Sequence, residues 1–216
     1  MIFPTLDYEK KLHKKGFNFI GGVDEVGRGS VAGPLVAACV VFDKRTKIPS
    51  DVVIRDSKTM TVRQKENADA WIRKNALTLG AGEVPVDYIN TKGIAKATLS
   101  GFYRSVKKAQ GGLSDRLQYL LIDGNFIAKI RDIPHTHQNA INGADQKIFS
   151  VAAASIVAKV YRDRLMERLG NLQEFAVYKW EKNKGYGTKE HKEALLTHGI
   201  TKHHRTQFVE SLLKRA

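Results

Sequence analysis

At 216 residues the chain is long enough for one compact domain with a modest appendage, and it can bury a full core without disulfide or metal staples. A 42% hydrophobic and 27% charged composition excludes disorder and collagen, and the longest apolar run, 31–42, is broken by Gly33-Pro34 and too short for a bilayer. Thirty-six Lys and Arg against twenty-two Asp and Glu leave +14 and a pI near 9.8, which favours polyanionic partners, nucleic acid ahead of membrane.

Residues 17–24 and 34–42 are predicted strands joined by the glycine-rich stretch VGRGSVAG, and their β-branched apolar content fits central strands buried on both faces. Residues 44–59 are polar and irregular. Thr61 is a candidate N-cap for a helix on which Val62, Ala68, Trp71 and Ile72 recur at helical spacing. A strand over 76–84 is followed by a helix over 86–109, with Asp87 or Thr91 as start signals and Gly111-Gly112 as the stop. LQYLLID, 117–123, is a short apolar strand closed by the turn signature Asp123-Gly124-Asn125, and a further short strand is expected at 126–131. A long helix runs from about 146 to 169; its SVAAASIVAKV segment is apolar nearly all round and so belongs in the interior. Short basic helical segments surround the loop NKGYGT in the last quarter. The pattern is that of an α/β sheet with helices packed on it, without internal repeats or low-complexity linkers.

The charge is uneven. Residues 1–158 carry 23 basic and 15 acidic side chains, net +8, whereas residues 159–216 carry 13 and 7, net +6 over a much shorter stretch. The C-terminal quarter is therefore the expected clamp for a phosphate backbone, the alternative being a basic protein with no nucleic-acid role. The lone Cys39 excludes a disulfide framework or Cys-rich zinc site and fits a reducing cytoplasm, and the lysine-bearing first twenty residues lack the apolar core of a secretory signal.

No Walker loop, GxSxG elbow, HExxH or CxxC is present. What stands out is acids at apolar strand ends: Asp24 and Glu25 after FIGGV, Asp123 after LQYLLI, and Asp145 at the mouth of the buried helix. Acids that abut apolar strands must be paired, hydrogen-bonded or metal-bound. Each has a bland alternative, Asp145 as a helix N-cap and Asp123 as an Asx-turn residue. Together they suit the crevice at strand carboxyl ends where open α/β sheets bind ligands. Clustered carboxylates require a counter-charge, and oxygen-only ligands select Mg²⁺ or Mn²⁺. Two such ions can clamp an in-line phosphoryl displacement, so a basic protein with an acidic pocket is a nuclease or phosphotransferase candidate. Adjacent strand residues face opposite ways, so Asp24 and Glu25 share a site only where the strand ends or kinks, as Gly27 and Gly29 would allow.

The blocks Asp24-Glu25-Val26-Gly27-Arg28-Gly29 with Gly33-Pro34, Asp56-Ser57-Lys58, Leu121-Ile122-Asp123-Gly124-Asn125, Ala153-Ala154-Ser155-Ile156-Val157-Ala158-Lys159-Val160 with Arg162-Asp163, and Lys184-Gly185-Tyr186-Gly187-Thr188 with His191, His198-Gly199 and His203-His204-Arg205 run in order from residue 21 to about 208. Together they resemble the ribonuclease HII (type 2 ribonuclease H) family. The resemblance implies a ribonuclease H-like mixed sheet flanked by helices over 1–170, with a basic helical substrate-binding region over 171–216 packed on it. It implies an endoribonuclease that acts on RNA–DNA hybrids and cuts 5′ to single ribonucleotides in duplex DNA. The products carry a 3′-hydroxyl and a 5′-phosphate, and the biological roles are hybrid removal and ribonucleotide excision repair. Asp24, Glu25, Asp123 and Asp145 match its four carboxylates for two Mg²⁺ or Mn²⁺ ions. The family usually has Lys-Gly-Asp where this chain has Gly143-Ala144-Asp145, which removes one positive charge. Gly27-Arg28-Gly29 matches the family's ribose reader and Tyr186 the tyrosine that packs on the neighbouring sugar; Lys58 and Lys184 are candidate phosphate contacts. Asp163 is expected to pair with neighbouring arginines, and the spacing of His191, His198, His203 and His204 fits no common zinc pattern. Ser30 has no paired base that would make it a nucleophile. The expected protein is a cytoplasmic monomer without membrane contact, and its tail lacks the paired aromatics of a sliding-clamp peptide. A ribonuclease HIII-like nuclease and a non-enzymatic nucleic-acid binder are the alternatives; Arg28 in the glycine turn and the lack of an extra N-terminal domain speak against the first, and the buried acids against the second.

Overall fold

The computed structural model describes residues 3–49, 51–128, 130 and 133–214. Helix α1 (Asp7–Lys14) leads into strand β1 (Ile20–Val26), which pairs antiparallel with β2 (Leu35–Val41). Helix α2 (Val62–Asn75) follows, started by a capping box in which Thr61 and Gln64 satisfy each other's backbone N–H groups. Strand β3 (Thr78–Val84) pairs antiparallel with β2. Strands β4 (Tyr119–Asp123) and β5 (Gln138–Ile141) extend the other side of β1 in parallel, giving the order β3-β2-β1-β4-β5.

Period-two alternation along β2 divides the interior. Val36, Ala38 and Val40 face α2 and the long helix α5 (Phe149–Gly170). Ala37, Cys39 and Val41 face the opposite layer with Phe102, Val106 and Ala109 of α4 (Ile94–Gln110), which follows α3 (Val86–Lys92). The β1–α5 seam is tight: a Cβ on Gly22 would stand 2.2 Å from the Ser150 carbonyl carbon, so only glycine lets α5 sit on the sheet. A third cluster joins Val31, Ala32 and Met166 to Phe175, Tyr178, Trp180, Leu195 and Val209. It fastens α6 (Trp180–Asn183), α7 (Lys189–His198) and α8 (Thr206–Lys214) to the far half of α5 and to the β1–β2 loop.

The mixed sheet flanked by helices is the expected class, with three local departures. The helix expected over 86–109 is two helices, because Gly93 adopts φ 79° between them. The strand expected at 126–131 is absent from 126–128 and 130, while 129 and 131 lie outside the described residues; β5 lies later, after a short turn at His135–His137. The long helix begins at Phe149 with Ile148 at its N-cap and no side-chain cap there. The Ser150 N–H is satisfied instead by Glu9 Oε1 of α1 at 2.9 Å.

Candidate active site

The register places the acids. Val23 of β1 is level with Ile122 of β4, so Asp24 and Asp123, each the next residue, sit side by side at the carboxyl ends of two parallel strands. The β1–β4 ladder stops there, and the gap beyond it opens into a cavity of about 640 Å³. Its walls include Asp24, Glu25, Asp123, Asp145, Gly27, Arg28, Gly29, Lys58 and Tyr186. Glu25 belongs to the opposite strand face, and β1 remains paired with β2 through Val26. The cavity therefore wraps round the strand end rather than lying on one face. Arg28, turned back by Gly27, stands 3.5 Å from Glu25 and lies over the exposed Phe126 ring.

Asp145 is not the N-cap of α5. It lies in a single turn, Ala144–Gln146, entered through Gly143 at φ 65°. The Ala144 N–H donates to Asp123 Oδ1 at 2.7 Å, which ties this turn to the end of β4. The departure Gly143-Ala144 is accommodated: Ala144 is fully buried and packs with Ile148 and Val151.

The electrostatics are those of a crowded acidic pocket. Asp24, 6% exposed, is held well above the usual carboxylate range by burial and by the charges of Glu25 and Asp123, against a hydrogen bond from Ser155. Glu25 is raised by burial despite Arg28, and Asp145 by burial and by Asp123 and Asp56. Divalent cations would remove this penalty. Among the described residues no three Asp, Glu, His or Cys side chains are close enough to enclose an ion alone. The oxygen-only donor set fits Mg²⁺ or Mn²⁺, which are held by one or two carboxylates together with substrate phosphate and water.

Gly27 has φ 85°, and its missing Cβ would lie 2.2 Å from Arg162 Nε. Tyr186 stands between two glycines, its ring faced by Lys159 Nζ at 5.6 Å and Arg162 Cζ at 5.5 Å. Lys58 lies in the Ser57–Thr59 turn capped by Asp56 and lines the cavity. Lys184 is not among the cavity-lining residues: its ammonium is 2.6 Å from Glu167 and donates to the Glu181 carbonyl. Asp163 pairs with Lys159 at 2.8 Å, not with an arginine, because the neighbouring Arg162 is turned toward loop carbonyls. Ser30 is buried, donating to the Gly27 carbonyl and accepting from Arg162.

The histidines form a packing relay rather than a metal site. His191 Nδ1 bonds the Tyr186 carbonyl at 2.9 Å, while its Nε2 accepts from Trp180 and stands 3.1 Å from His204 Nε2. The Thr201 N–H donates to His204 Nδ1, which assigns the His204 proton to Nε2. Burial lowers both rings, His204 to about 4 with the help of its histidine neighbours. Sequence reasoning missed Ser57, Lys65, Ser155 and Lys159 on the cavity wall. The available signal was the i, i+4 spacing of Ser155 and Lys159 on α5.

The ribonuclease HII family model matches residues 21–211, all of the site included. The chain belongs to the ribonuclease HII family. A ribonuclease HII from Caldanaerobacter subterraneus subsp. tengcongensis is 44% identical over 207 residues, 96% of this chain and 80% of that one. The ribonuclease H2 structure from Pyrococcus horikoshii superimposes with TM-score 0.71 at 25% identity, covering 91% of this chain and 98% of that one. Bst-RNase HIII in complex with Mn²⁺ shares the fold, with TM-score 0.70 at 18% identity over 94% of this chain and 73% of that one. Membership makes this ribonuclease HII chain a metal-dependent endonuclease with ribonuclease H activity. None of its described helices is long and apolar enough to cross a membrane.

Proposed function

We propose that the chain hydrolyses the RNA strand of RNA–DNA hybrids and cuts on the 5′ side of a lone ribonucleotide in duplex DNA, leaving 3′-hydroxyl and 5′-phosphate ends. The observation that carries the reading is the union, in one cavity, of four acids with the Gly27-Arg28-Gly29 turn and Tyr186. Asp24, Glu25, Asp123 and Asp145 would hold two Mg²⁺ or Mn²⁺ ions; the Mn²⁺ complex of Bst-RNase HIII supports divalent-metal use. Such ions, when bound, supply water activation and charge neutralisation at the scissile phosphate. The backbone of the Gly27-Arg28-Gly29 turn, exposed at Arg28 and Gly29, faces the ribose, where the 2′-hydroxyl distinguishes RNA from DNA. The Tyr186 ring packs on the adjoining deoxyribose, and Lys58 neutralises a phosphate. Residues 171–216 serve as the basic clamp on the duplex, and the enzyme works as a cytoplasmic monomer in ribonucleotide excision repair.

The test is a DNA duplex carrying one labelled ribonucleotide, incubated with Mg²⁺ or Mn²⁺ in turn. Incision 5′ to the ribonucleotide, absent with chelator and absent on all-DNA duplex, is expected. Equal cutting of the all-DNA duplex refutes the reading, and cutting only within runs of ribonucleotides moves it to type 1 or HIII behaviour.

A further inference from the structure

Two arginines lie behind the cavity wall, fully buried, at 0% exposure each. Among the described residues neither has a carboxylate at ion-pair distance, whereas buried guanidinium groups are ordinarily paired. Their donors go to backbone oxygens. Arg162 of α5 bonds the carbonyls of Ala32, Pro34 and Lys184 and the Ser30 hydroxyl, which itself donates to the Gly27 carbonyl. Arg205, just before α8, bonds the carbonyls of Gly27, Arg28 and Gly33, while its Nη2 is buried without a hydrogen-bond partner among the described residues. One guanidinium plane thus grips the rim of the β1–β2 loop from beneath, and the other joins that loop to the Lys184–Tyr186 turn and stacks against the Tyr186 ring at 5.5 Å.

We propose that Arg162 and Arg205 are positioning residues that set selectivity for a lone ribonucleotide, by locking the Gly27-Arg28-Gly29 turn and the Tyr186 turn into one rigid unit.

Resting on the function proposed above, this assigns the two arginines a role beyond stability. A hydrophobic core would be cheaper than two buried cations side by side, and burial, together with repulsion from Arg162, brings Arg205 down to about 9. What the planar forks supply is geometry, since five donors in a fixed plane define where several carbonyls must sit. A long all-RNA strand offers many 2′-hydroxyls and many registers. A single ribonucleotide offers one, so its cleavage depends on the spacing between the two turns, and misplacement there is felt in kcat. The residues beneath the loop therefore matter more for the lone ribonucleotide than for the hybrid.

The experiment compares kcat and KM of the full chain on a duplex with one ribonucleotide and on an all-RNA hybrid strand, for wild type, Arg205→Lys and Ser30→Ala, with melting curves for each. Lysine keeps the charge and loses the fork. Ser30→Ala removes the bridge between Arg162 and the Gly27 carbonyl without deleting a charge. The expected result is a fall in kcat of about tenfold to a hundredfold on the single ribonucleotide for Arg205→Lys. The fall on the hybrid is expected to be about threefold or less, and Ser30→Ala should shift the ratio in the same direction. Equal losses on both substrates, tracking the loss of melting temperature, would mean a purely structural role and overturn the proposal, as would an unchanged ratio in both variants. If Arg205→Lys fails to fold, Ser30→Ala decides alone, its ratio either moving or not. A wild type that leaves the lone ribonucleotide uncut would instead overturn the function on which the proposal rests, so the two failures are distinct.

Discussion

Gly29 separates the demands of the fold from those of the substrate. It is exposed in the turn after β1, its φ lies outside the left-handed region, and a Cβ built there meets no heavy atom within 4 Å. Gly29→Ala should therefore cost the fold nothing and, by restricting the unfolded chain, raise stability by about 0.4–1 kcal/mol. The same methyl stands where the ribose is proposed to approach the backbone. It projects about 1.5 Å from Cα, and a displacement of the reacting groups by about 1 Å costs on the order of 100-fold in rate. That corresponds to about 2.7 kcal/mol of transition-state stabilisation. Gly27→Ala is the opposite case: at φ 85°, with Arg162 Nε only 2.2 Å from the new Cβ, it should lose roughly 1–3 kcal/mol of stability as well as activity. Urea denaturation and kcat/KM on the single-ribonucleotide duplex measure both quantities on the same preparations. A Gly29→Ala enzyme with undiminished kcat/KM would refute the approach of substrate to this turn, and one that was destabilised would refute the loop geometry.

Asp24→Asn or Asp123→Asn should lower cleavage by on the order of 1,000-fold while hybrid binding by the basic surface persists. In metal-free buffer Asp24→Asn should also raise the melting temperature, since a buried charge beside Glu25 and Asp123 is removed; a variant that still cleaves well in Mg²⁺ would sink the assignment. Hybrid affinity should fall steeply with salt, with a log–log slope of several units from counterion release, and a slope near zero would remove the phosphate clamp. Because the folded-state values of His191 and His204 are depressed, the unfolded chain binds more protons below the ordinary histidine value, so stability should drop as pH falls from about 6.5 toward 4. The sensitivity is up to about 1.4 kcal/mol per pH unit for each ring, and denaturation curves at pH 7, 6 and 5 for wild type and His204→Gln should diverge accordingly; parallel curves would contradict the relay.

How much was legible depended on whether a residue's constraint was local. Each acid was conspicuous by itself, because a carboxylate after FIGGV or LQYLLI violates the apolar pattern around it and must have a reason, but only the acids taken together pointed past caps and turns to a shared site. The two-sided burial of β2 was readable for the same reason, its alternate residues being apolar on both faces. The cap alternative for Asp145 fails because the residue lies in its own turn ahead of α5, and the carboxylate that bonds the helix's first turn is Glu9, 141 positions from its partner Ser150. Strand β5 was misplaced because Gln138-Asn139-Ala140-Ile141 has little β signal of its own. Its position follows from pairing with β4 up to Asp123, a tertiary constraint. Arg162 and Arg205 were least visible, since in a chain of net +14 an arginine is expected at the surface. Yet Arg162 lies on the same long helix as the buried Ala152–Ala158 stretch, one turn beyond it and facing inward. A basic residue on the inward stripe of a buried helix breaks the pattern as plainly as an acid at a strand end does. The same physical rule, that a charge out of place needs a partner, thus applies to both halves of the site: carboxylates proposed to bind cations in front of the loop, and guanidinium groups holding its carbonyls behind it.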